Sequence, residues 1–386
     1  MKKIKILQLQ PDYHENSHGW SDLAEQINEA FDPVRYEVVT AFLHGRRGEG
    51  DPKTRAARAV YFDFPESWSK GLRLRLKRRL SQFLANERFD VVICNRYKPV
   101  NLLMELNLKL NIPLCIGISH GFGEYDKAWR RLRFRRLLRP NWRFVGVSEA
   151  VRDYLIGLGC GFTASNTRAI TNAIDIDRAV AEQFSRVEAR QRLYLPAEAR
   201  IIGAAGRLVA VKGHDVLIRA FARIAGRHPD VILAIIGEGR KRAELEALVN
   251  ELGLEGRVVL PGFVAGMKRY IRAFDVWTMP SHSEGLGLAL LEGMAGALPI
   301  IASDVPAMRP LVRGAGGKLV RPGDVEELAA ALDADLSMSE EQLSEAGKRS
   351  FAYVSAVHSI QQYRDRYLAL VEEALNESGV RQHDRE

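Results

Sequence analysis

The amino-acid sequence predicts an α/β protein made of two doubly wound, Rossmann-like domains. Its 386 residues exceed what one hydrophobic core usually serves, so two domains are the default expectation. In each half, short apolar runs alternate with longer amphipathic segments. Such runs are typical of parallel strands that are buried on both faces, and the alternation of strands with helices is typical of a doubly wound sheet.

The first half contains the apolar runs expected of five parallel strands. They cover residues 4–9, 36–41, 90–94, 113–118 and 144–147. Residues 22–31 and 71–84 carry helical spacing between these strands. Ser148 is predicted to cap a further helix, because its hydroxyl can accept a hydrogen bond from a free amide of the first turn.

The second half repeats this order of elements. Its predicted strands cover residues 201–205, 231–236, 258–260, 276–279 and 300–302. Leu245, Leu248, Val249 and Leu252 form an apolar stripe on a helix between two of these strands.

The predicted domain boundaries follow from these elements. We expect a first domain over residues 1–185 and a second domain over residues 186–355. Residues 356–386 should form a last helix that packs back on the first domain, followed by a disordered polar tail at 376–386. Open α/β sheets bind ligands beyond the carboxyl ends of their strands, so two sheets facing across a cleft would hold the site between them.

Composition excludes several other classes of protein. Hydrophobic residues make up 46% and charged residues 27% of the chain, and no apolar run approaches the ~20 residues of a membrane span. The first apolar run is interrupted by Lys5 and Gln8, so we expect a cytoplasmic enzyme rather than a secreted one. Cys94, Cys115 and Cys160 lack metal-ligand spacing and are expected to be buried core residues.

The net charge of +8 is concentrated in two basic runs of the first half. One run spans residues 70–79, and the other spans residues 127–143 and includes Arg130, Arg131, Arg133, Arg135 and Arg136. Neither run contains an acidic residue. Such clusters attract phosphates on nucleic acid, lipid or glycan, although each could also be the solvated face of a helix.

A glycine-rich turn at residues 284–287, between a predicted strand and a helix, carries the most specific chemical signal. Gly285, Leu286 and Gly287 would bring the backbone close to an anion, and the helix that follows would offer free amides and its positive dipole end. Glu284 and Glu292 could accept hydrogen bonds from different hydroxyls of one extended ligand. An ordinary capped amphipathic helix stays open as an alternative.

These residues form part of a larger pattern. Glu284 and Glu292 lie in an E-G-x-G-L-x-x-L-E frame, and G-R-L-V-A-V-K-G occupies residues 206–213. Val147, Ser148 and Val151 give V-S-x-x-V, and N-A-I-D follows at residues 172–175. In this combination the chain resembles the retaining glycosyltransferases of family 4, which have the GT-B fold, and among them the bacterial lipopolysaccharide core glycosyltransferases.

The resemblance implies a role for each matching residue. Arg207 and Lys212 would neutralise the donor diphosphate, Glu292 would bind the ribose, and Glu284 would contact the transferred sugar. The turn residues Gly285, Leu286 and Gly287 would cradle the diphosphate, and Gly262 and Phe263 would hold the base. His120 would approach the donor sugar as a catalytic residue. The loop at residues 11–20, with Gly19, would close over the donor.

Some positions depart from the family pattern. Ala173 and Ala297 stand where glycine is usual, and V-P-A-M-R-P at residues 305–310 replaces a glycine pair. Two D-x-D motifs, at residues 175–177 and 333–335, resemble the metal site of a different glycosyltransferase fold. Asp333 and Asp335 are two apart on a predicted helix and point to different sides, and Asp175 belongs to the N-x-x-D turn, so we predict no obligatory metal. No cofactor is expected, because the nucleotide-sugar donor is a substrate.

The expected function is a metal-independent, retaining transfer of a hexose-type sugar. We expect a UDP-sugar as donor and an anionic glycan or glycolipid as acceptor, such as a lipopolysaccharide core or another cell-surface polysaccharide. The reaction would take place in the cytoplasm, at the inner face of the cell membrane. A nucleotide-sugar epimerase or hydrolase of the same fold is the first alternative, and a nucleic-acid-binding protein that uses the arginine runs is the second.

Overall fold

A computed structural model describes residues 2–13, 18–49 and 53–377, with the backbone alone for residues 18–22. The chain divides into two compact units, which are Met1–Asn172 together with Gln361–Glu386, and Ala173–Ile360. The division falls at Asn172 and not at residue 185. Residues 173–192 belong to the second unit because their helices pack there. The amide of Phe184, for example, donates to the carbonyl of Arg269 at 2.8 Å.

The first unit is built on a seven-stranded sheet with the order β3-β2-β1-β4-β5-β6-β7. Every adjacent pair is parallel. The strands are β1 (Ile4–Asp12), β2 (Tyr36–His44), β3 (Arg58–Tyr61), β4 (Val91–Asn95), β5 (Leu114–Ser119), β6 (Trp142–Gly146) and β7 (Thr167–Ala169). Strands β4 and β5 are buried at every position, as parallel strands covered on both faces must be.

Helices and one 3₁₀ turn connect these strands. They are α1 (His18–Glu29), the 3₁₀ turn Glu66–Ser69, α2 (Leu74–Glu87), α3 (Tyr97–Leu110), α4 (Ala128–Leu137), α5 (Glu149–Gly157) and the C-terminal α14 (Ile360–Glu377). The predicted cap is confirmed, because the Ser148 hydroxyl accepts a hydrogen bond from the amide of Val151. Helix α14 is fixed to the first unit by ion pairs such as Arg168 with Glu373.

The second unit is built on a six-stranded parallel sheet with the order β10-β9-β8-β11-β12-β13. Its strands are β8 (Arg200–Ala205), β9 (Val231–Ile236), β10 (Val258–Gly262), β11 (Val276–Met279), β12 (Ile300–Ser303) and β13 (Lys318–Val320). Two apolar cores cover its faces, one around Phe221 and Leu233 and the other around Trp277 and Leu291.

The helices of the second unit follow the same alternation. They are α6 (Ile176–Glu182), α7 (Arg186–Arg192), α8 (His214–Ile224), α9 (Arg242–Glu251), α10 (Leu288–Ala295), α11 (Arg309–Gly314), α12 (Val325–Leu336) and α13 (Glu340–Val357), with 3₁₀ turns at Ala210–Lys212 and Met267–Ala273. The predicted α/β class and the two Rossmann-like, doubly wound halves are thus confirmed. Asp333 and Asp335 lie on α12, so their D-x-D is helical as expected.

Several sequence expectations need correction. Three short strands, β3, β7 and β13, were not predicted from the sequence. The last helix begins at Ile360 instead of residue 356, because α13 extends to Val357 and ends with His358 as its C-cap. The first two residues of the expected polar tail, 376 and 377, continue α14, and the rest of that tail lies outside the described residues. Cys94, Cys115 and Cys160 are buried and free, as expected. No helix in residues 2–13, 18–49 and 53–377 has the length and apolarity to cross a membrane.

Candidate active site

The residues of the candidate site meet at the carboxyl edge of the six-stranded sheet. Gly206 follows β8, Gly237 follows β9, Gly262 ends β10 and Pro280 follows β11. The strand order reverses between β8 and β11, which are neighbours in the sheet although two strands separate them in sequence. Ligands of open α/β sheets bind at such a switch point.

Backbone hydrogen bonds join the loops at this edge. The amide of Gly206 donates to Ile236 at 2.9 Å, and the amide of Gly237 donates to Gly262 at 2.9 Å. The amide of His282 donates to the carbonyl of Val211 at 2.8 Å. This last hydrogen bond joins the loop at residues 206–213 to the start of the glycine-rich turn, although about 70 residues separate them in the sequence.

Gly213 brings these two motifs into contact. Its φ of +65° belongs to the left-handed region, and a Cβ at this position would lie 2.1 Å from the carbonyl oxygen of Pro280. Only glycine combines this conformation with so close an approach. The loop that carries Lys212 is thus pressed against the start of the glycine-rich turn.

Lys212 and Glu284 form the central ion pair of the site. The Lys212 Nζ lies 2.5 Å from Glu284 Oε1, and both side chains are largely buried. The Ser281 hydroxyl donates to the same carboxylate oxygen at 2.7 Å. The structure therefore brings together the residue expected to bind phosphate and the residue expected to bind the sugar.

Arg207 is an exposed cation at this edge. Its side chain is exposed, and among the described residues it forms no ion pair. An arginine fork that is not engaged by the protein can take a phosphate in two parallel hydrogen bonds. Arg207 and Lys212 lie in the same loop, between β8 and α8, so both belong to one cationic side of the site.

The glycine-rich turn ends in an open helix terminus. Gly287 occupies the N-cap of α10 with φ of +103°, and no side chain caps the helix. The first amides of α10 are consequently available to an anion. Leu286 is buried in the core with 4% exposure, so only its backbone can face a ligand. Gly285 completes the turn, and Glu292 lies within α10, half-buried.

Gly262 and Phe263 lie at the end of β10 on the same edge. Gly262 has φ of +87°, and a Cβ there would lie 2.8 Å from Oε1 of Glu238. Phe263 is 46% exposed, so its ring is free to cover a flat ligand such as a base.

Two residues of this edge were not predicted from the sequence. Ser281 holds Glu284, and His214 is buried at the start of α8 with both ring nitrogens lacking a well-formed hydrogen bond to the described residues. Burial, with the charge of Lys212, lowers the pKa of His214 to about 4, so the ring is neutral. Its proximity to the turn at Gly206 depends on the fold, although its place after Lys212-Gly213 was a usable signal.

His120 belongs to the first unit, after β5. Its Nε2 lies 3.1 Å from Oδ1 of Asn95, which follows from the parallel pairing of β4 and β5. Burial, with the charge of Arg96, holds the pKa of His120 well below its ordinary value. The predicted catalytic histidine is therefore a neutral imidazole.

Glu124, in the loop that follows His120, was also missed. Burial raises its pKa to about 7, against hydrogen bonding from Ser119 and the charges of Arg96 and Arg130. A carboxyl that is half-protonated near neutral pH can exchange a proton during a reaction. A lone glutamate among many in the sequence gave no signal for this.

The five arginines expected to face an acceptor lie in two environments. Arg130 stacks 4.4 Å from the centre of the Tyr97 ring and donates to the carbonyl of Glu124 at 2.7 Å. Arg133 pairs with Glu105 of α3. Arg135 and Arg136 are exposed, whereas Arg131 is half-exposed.

The loop expected to close over the donor is only partly described. Pro11 and Asp12 end β1, and Gly19 lies in the first turn of α1, where only the backbone is described. Residues 14–17 lie outside the described part of the chain.

Comparison with known families identifies the class of protein. A model described as "Glycosyl transferases group 1" matches residues 185–350, and a model described as "Glycosyltransferase Family 4" matches residues 23–178. Together with the fold, these matches place the chain in the class of GT-B glycosyltransferases. The chain belongs to glycosyltransferase family 4, group 1.

The chain is similar to glycosyltransferases that carry different names. The chain is 33% identical over 189 residues to the lipopolysaccharide core biosynthesis glycosyltransferase LpsE of Rhizobium meliloti, covering 49% of this chain and 51% of LpsE. It is 31% identical over 235 residues to the D-inositol 3-phosphate glycosyltransferase of Corynebacterium jeikeium, covering 56% of each. These matches span about half the length of the relatives.

A solved structure matches nearly the whole fold. HepE of Anabaena, crystallised with UDP and glucose, superposes with a TM-score of 0.79 at 20% identity, covering 96% of this chain and 99% of HepE. At this identity the match establishes the fold.

Proposed function

We propose that this protein transfers a hexose from a UDP-sugar, with retention of configuration, to an anionic glycan or glycolipid. The observation that carries the proposal is the joint placement of Arg207, the Lys212–Glu284 pair and the uncapped terminus of α10 at one sheet edge. Cations and free amides suit a diphosphate, and a carboxylate beside them suits a sugar hydroxyl. HepE, of the same fold, was crystallised with UDP and glucose, which supports the choice of donor.

The Lys212–Glu284 pair gives the site a means to respond to the donor. Without a donor, each charge neutralises the other at 2.5 Å. A bound diphosphate would replace Glu284 as the ion-pair partner of Lys212, and Glu284 would then accept a hydrogen bond from the sugar. Ser281 keeps the carboxylate in place during this exchange.

The proposed reaction breaks the bond between the anomeric carbon and the diphosphate oxygen. Arg207, Lys212 and the α10 amides stabilise the negative charge that develops on the leaving group. The acceptor hydroxyl attacks from the same face, and its proton passes to the leaving phosphate oxygen. The neutral ring of His120 would hydrogen-bond to the donor sugar without adding a charge.

The proposed acceptor is the phosphorylated core of a lipopolysaccharide or a similar surface glycan, modified at the inner face of the membrane. The similarity to LpsE supports this choice. Helix α4 adds a surface in which Trp129 and Leu132 are 55% and 71% exposed beside Arg135 and Arg136. Exposed apolar residues mixed with cations suit anionic headgroups.

We also propose that no metal ion is required. No group of three His, Cys, Asp or Glu side chains suited to a metal occurs within the residues described. The two cations and the helix terminus would neutralise the diphosphate instead. Activity is therefore expected to persist in excess chelator, and a full loss that magnesium or manganese restores would contradict this.

The experiment that tests the proposal uses candidate nucleoside diphosphate sugars. Thermal stabilisation identifies the donor, and the linkage of the product on a lipopolysaccharide core acceptor is then read by NMR. We expect a UDP-hexose to stabilise the protein and the product to keep the donor's anomeric configuration, with Glu292→Ala folded but severely impaired. Free sugar or an epimer as the main product would instead favour a hydrolase or an epimerase. Steeply salt-dependent binding to DNA or RNA would favour the nucleic-acid alternative.

A further inference from the structure

A pocket of the first unit lies between the two basic helices. It is a cavity of about 510 Å³ among the 3₁₀ turn before α2, α2 itself, α3 and α4. Its lining includes Arg73, Lys77, Tyr97, Trp129 and Arg133. Cavities of this size hold small ligands such as a single sugar with its substituents.

Three cations meet on one carboxylate in this pocket. Arg73 Nη2 lies 2.7 Å from Glu105 Oε1, Lys77 Nζ lies 2.5 Å from Glu105 Oε2, and Arg133 also pairs with Oε1. Three positive charges against one negative charge leave a formal excess of +2. Like charges held this close repel one another, so an anion that enters the pocket gains from all three.

Glu105 remains ionised beneath these cations. Burial by itself raises its pKa, but hydrogen bonds from Lys77 and Arg133, with the charges of Arg133 and Arg73, lower the pKa overall. The carboxylate therefore positions the three cations and satisfies only part of their hydrogen-bonding capacity. Arginine has five donors and lysine three, so several remain for a ligand.

Two aromatic side chains complete the pocket. Tyr97 lines it, with its hydroxyl buried. Trp129 is 55% exposed at the pocket, where its ring can stack on a flat apolar face.

We propose that this pocket binds a sugar phosphate, with the phosphate on Arg73, Lys77 and Arg133 and the sugar ring against Trp129. Arginine forks match the geometry of phosphate oxygens, and lysine adds a point charge. The pocket's role rests on the proposed function, because the sugar phosphate would be part of the acceptor. The ligand would thus be selected for its charge by residues of the first unit, whereas the proposed donor residues belong to the second unit.

The test measures binding of inorganic phosphate, glucose 6-phosphate and glucose by calorimetry to the full chain. Arg133→Gln leaves Glu105 with two cationic partners, so it should fold, and it should weaken both phosphate and glucose 6-phosphate by roughly tenfold or more. Trp129→Ala should weaken glucose 6-phosphate alone. Lys109→Gln is the matched control, because it removes one exposed charge from α3, the helix of Glu105, outside the pocket. It should bind as the unmodified protein does.

The outcomes separate this pocket from the donor site. Failure of glucose 6-phosphate to bind better than glucose, or equal binding by Arg133→Gln, would overturn the proposal even if UDP-glucose binds normally. Failure of UDP-glucose to bind would instead count against the proposed function. Vesicles containing phosphatidylglycerol provide a last arm. If Arg133→Gln loses vesicle binding while glucose 6-phosphate never binds, the pocket holds a lipid headgroup and the sugar-phosphate assignment is wrong.

Discussion

At the scale of single residues, His214 shows how the donor edge combines burial with charge. The ring is 4% exposed and lies beside Lys212, whose positive charge disfavours a second cation. Because the ring is neutral, His214 adds no positive charge to that of Arg207 and Lys212 at this edge. It also makes the folded protein sensitive to acid, because unfolding releases the ring to water.

We predict that His214 makes the free energy of unfolding depend on pH. In the unfolded chain the ring takes up a proton below its ordinary pKa of 6.5, whereas in the folded protein it does so only below about 4. Stability is therefore lost as the pH falls from 6.5 towards 4 and is unaffected above that window. Between pH 8 and pH 5 the loss is about 2 kcal/mol.

Chemical denaturation of the unmodified protein and of His214→Phe at both pH values checks this. The phenylalanine cannot titrate, so the difference between the two proteins should shift in favour of the variant at pH 5. Parallel pH profiles would show that His214 titrates normally in the folded state.

The Lys212–Glu284 pair leads to a second residue-scale prediction. Glu284→Gln frees Lys212 from its ion pair, so UDP should bind several-fold more tightly. Sugar transfer should fall, because an amide oxygen accepts a hydrogen bond from the sugar hydroxyl less strongly than a carboxylate does. Glu244→Gln, an exposed acid of α9 that pairs with Lys241, serves as the control. Weaker UDP binding by Glu284→Gln would contradict this view of the pair.

At the scale of elements, the loop before α8 depends on one glycine. Gly213→Ala would place a Cβ against the carbonyl of Pro280 in a left-handed conformation, and we expect a loss of about 2–4 kcal/mol in stability. Gly253→Ala isolates the conformational part, because Gly253 has φ of +63° but open space around it. That variant should lose about 1 kcal/mol.

Denaturant unfolding and UDP titration of both variants provide the measurement. Gly213→Ala should also lose UDP affinity, because the loop that carries Lys212 must move away from the glycine-rich turn. Equal stability losses for the two variants would mean that the contact with Pro280 is not tight.

The same elements show what the sequence could and could not predict. Central strands such as β4 and β9 were predicted because burial on both faces makes them continuously apolar. Strands β3, β7 and β13 lie at sheet edges or are only three or four residues long, and each contains a cation, so no apolar run marks them. Motif residues such as Arg207 and Glu292 were predicted because their spacing is local. The pocket at Glu105 was not, since it needs the packing of α2, α3 and α4.

At the scale of the whole molecule, the charge is distributed in keeping with the proposed roles. The net charge is +8, and the two basic runs lie on α2 and α4 and around them, in the unit with the seven-stranded sheet. The pocket at Glu105 engages part of each run, with Arg73 and Lys77 from one and Arg133 from the other. Exposed cations such as Arg135 and Arg136 are left for a larger anionic surface.

We predict that reversing charge on α4 weakens membrane binding without affecting the donor. Each cation near an anionic surface contributes roughly 1 kcal/mol, so a triple variant of Arg131, Arg135 and Arg136 to Glu should lower vesicle affinity by about 100-fold or more. The control reverses three exposed cations of the second unit, namely Arg219, Arg313 and Lys348. Sedimentation with anionic vesicles gives the comparison. Unchanged affinity in the folded α4 variant would favour a neutral, soluble acceptor.

The central claim is that the edge of the six-stranded sheet binds a UDP-sugar through its two cations. The most direct measurement is calorimetric titration of UDP-glucose into the unmodified protein and into Arg207→Ala, with thermal unfolding to verify the fold. Since Arg207 is exposed and unpaired among the described residues, its removal should leave stability nearly unchanged. We predict that the variant binds UDP-glucose about 10–100-fold more weakly. Equal affinity in the two proteins, or no binding by the unmodified one, would contradict the claim.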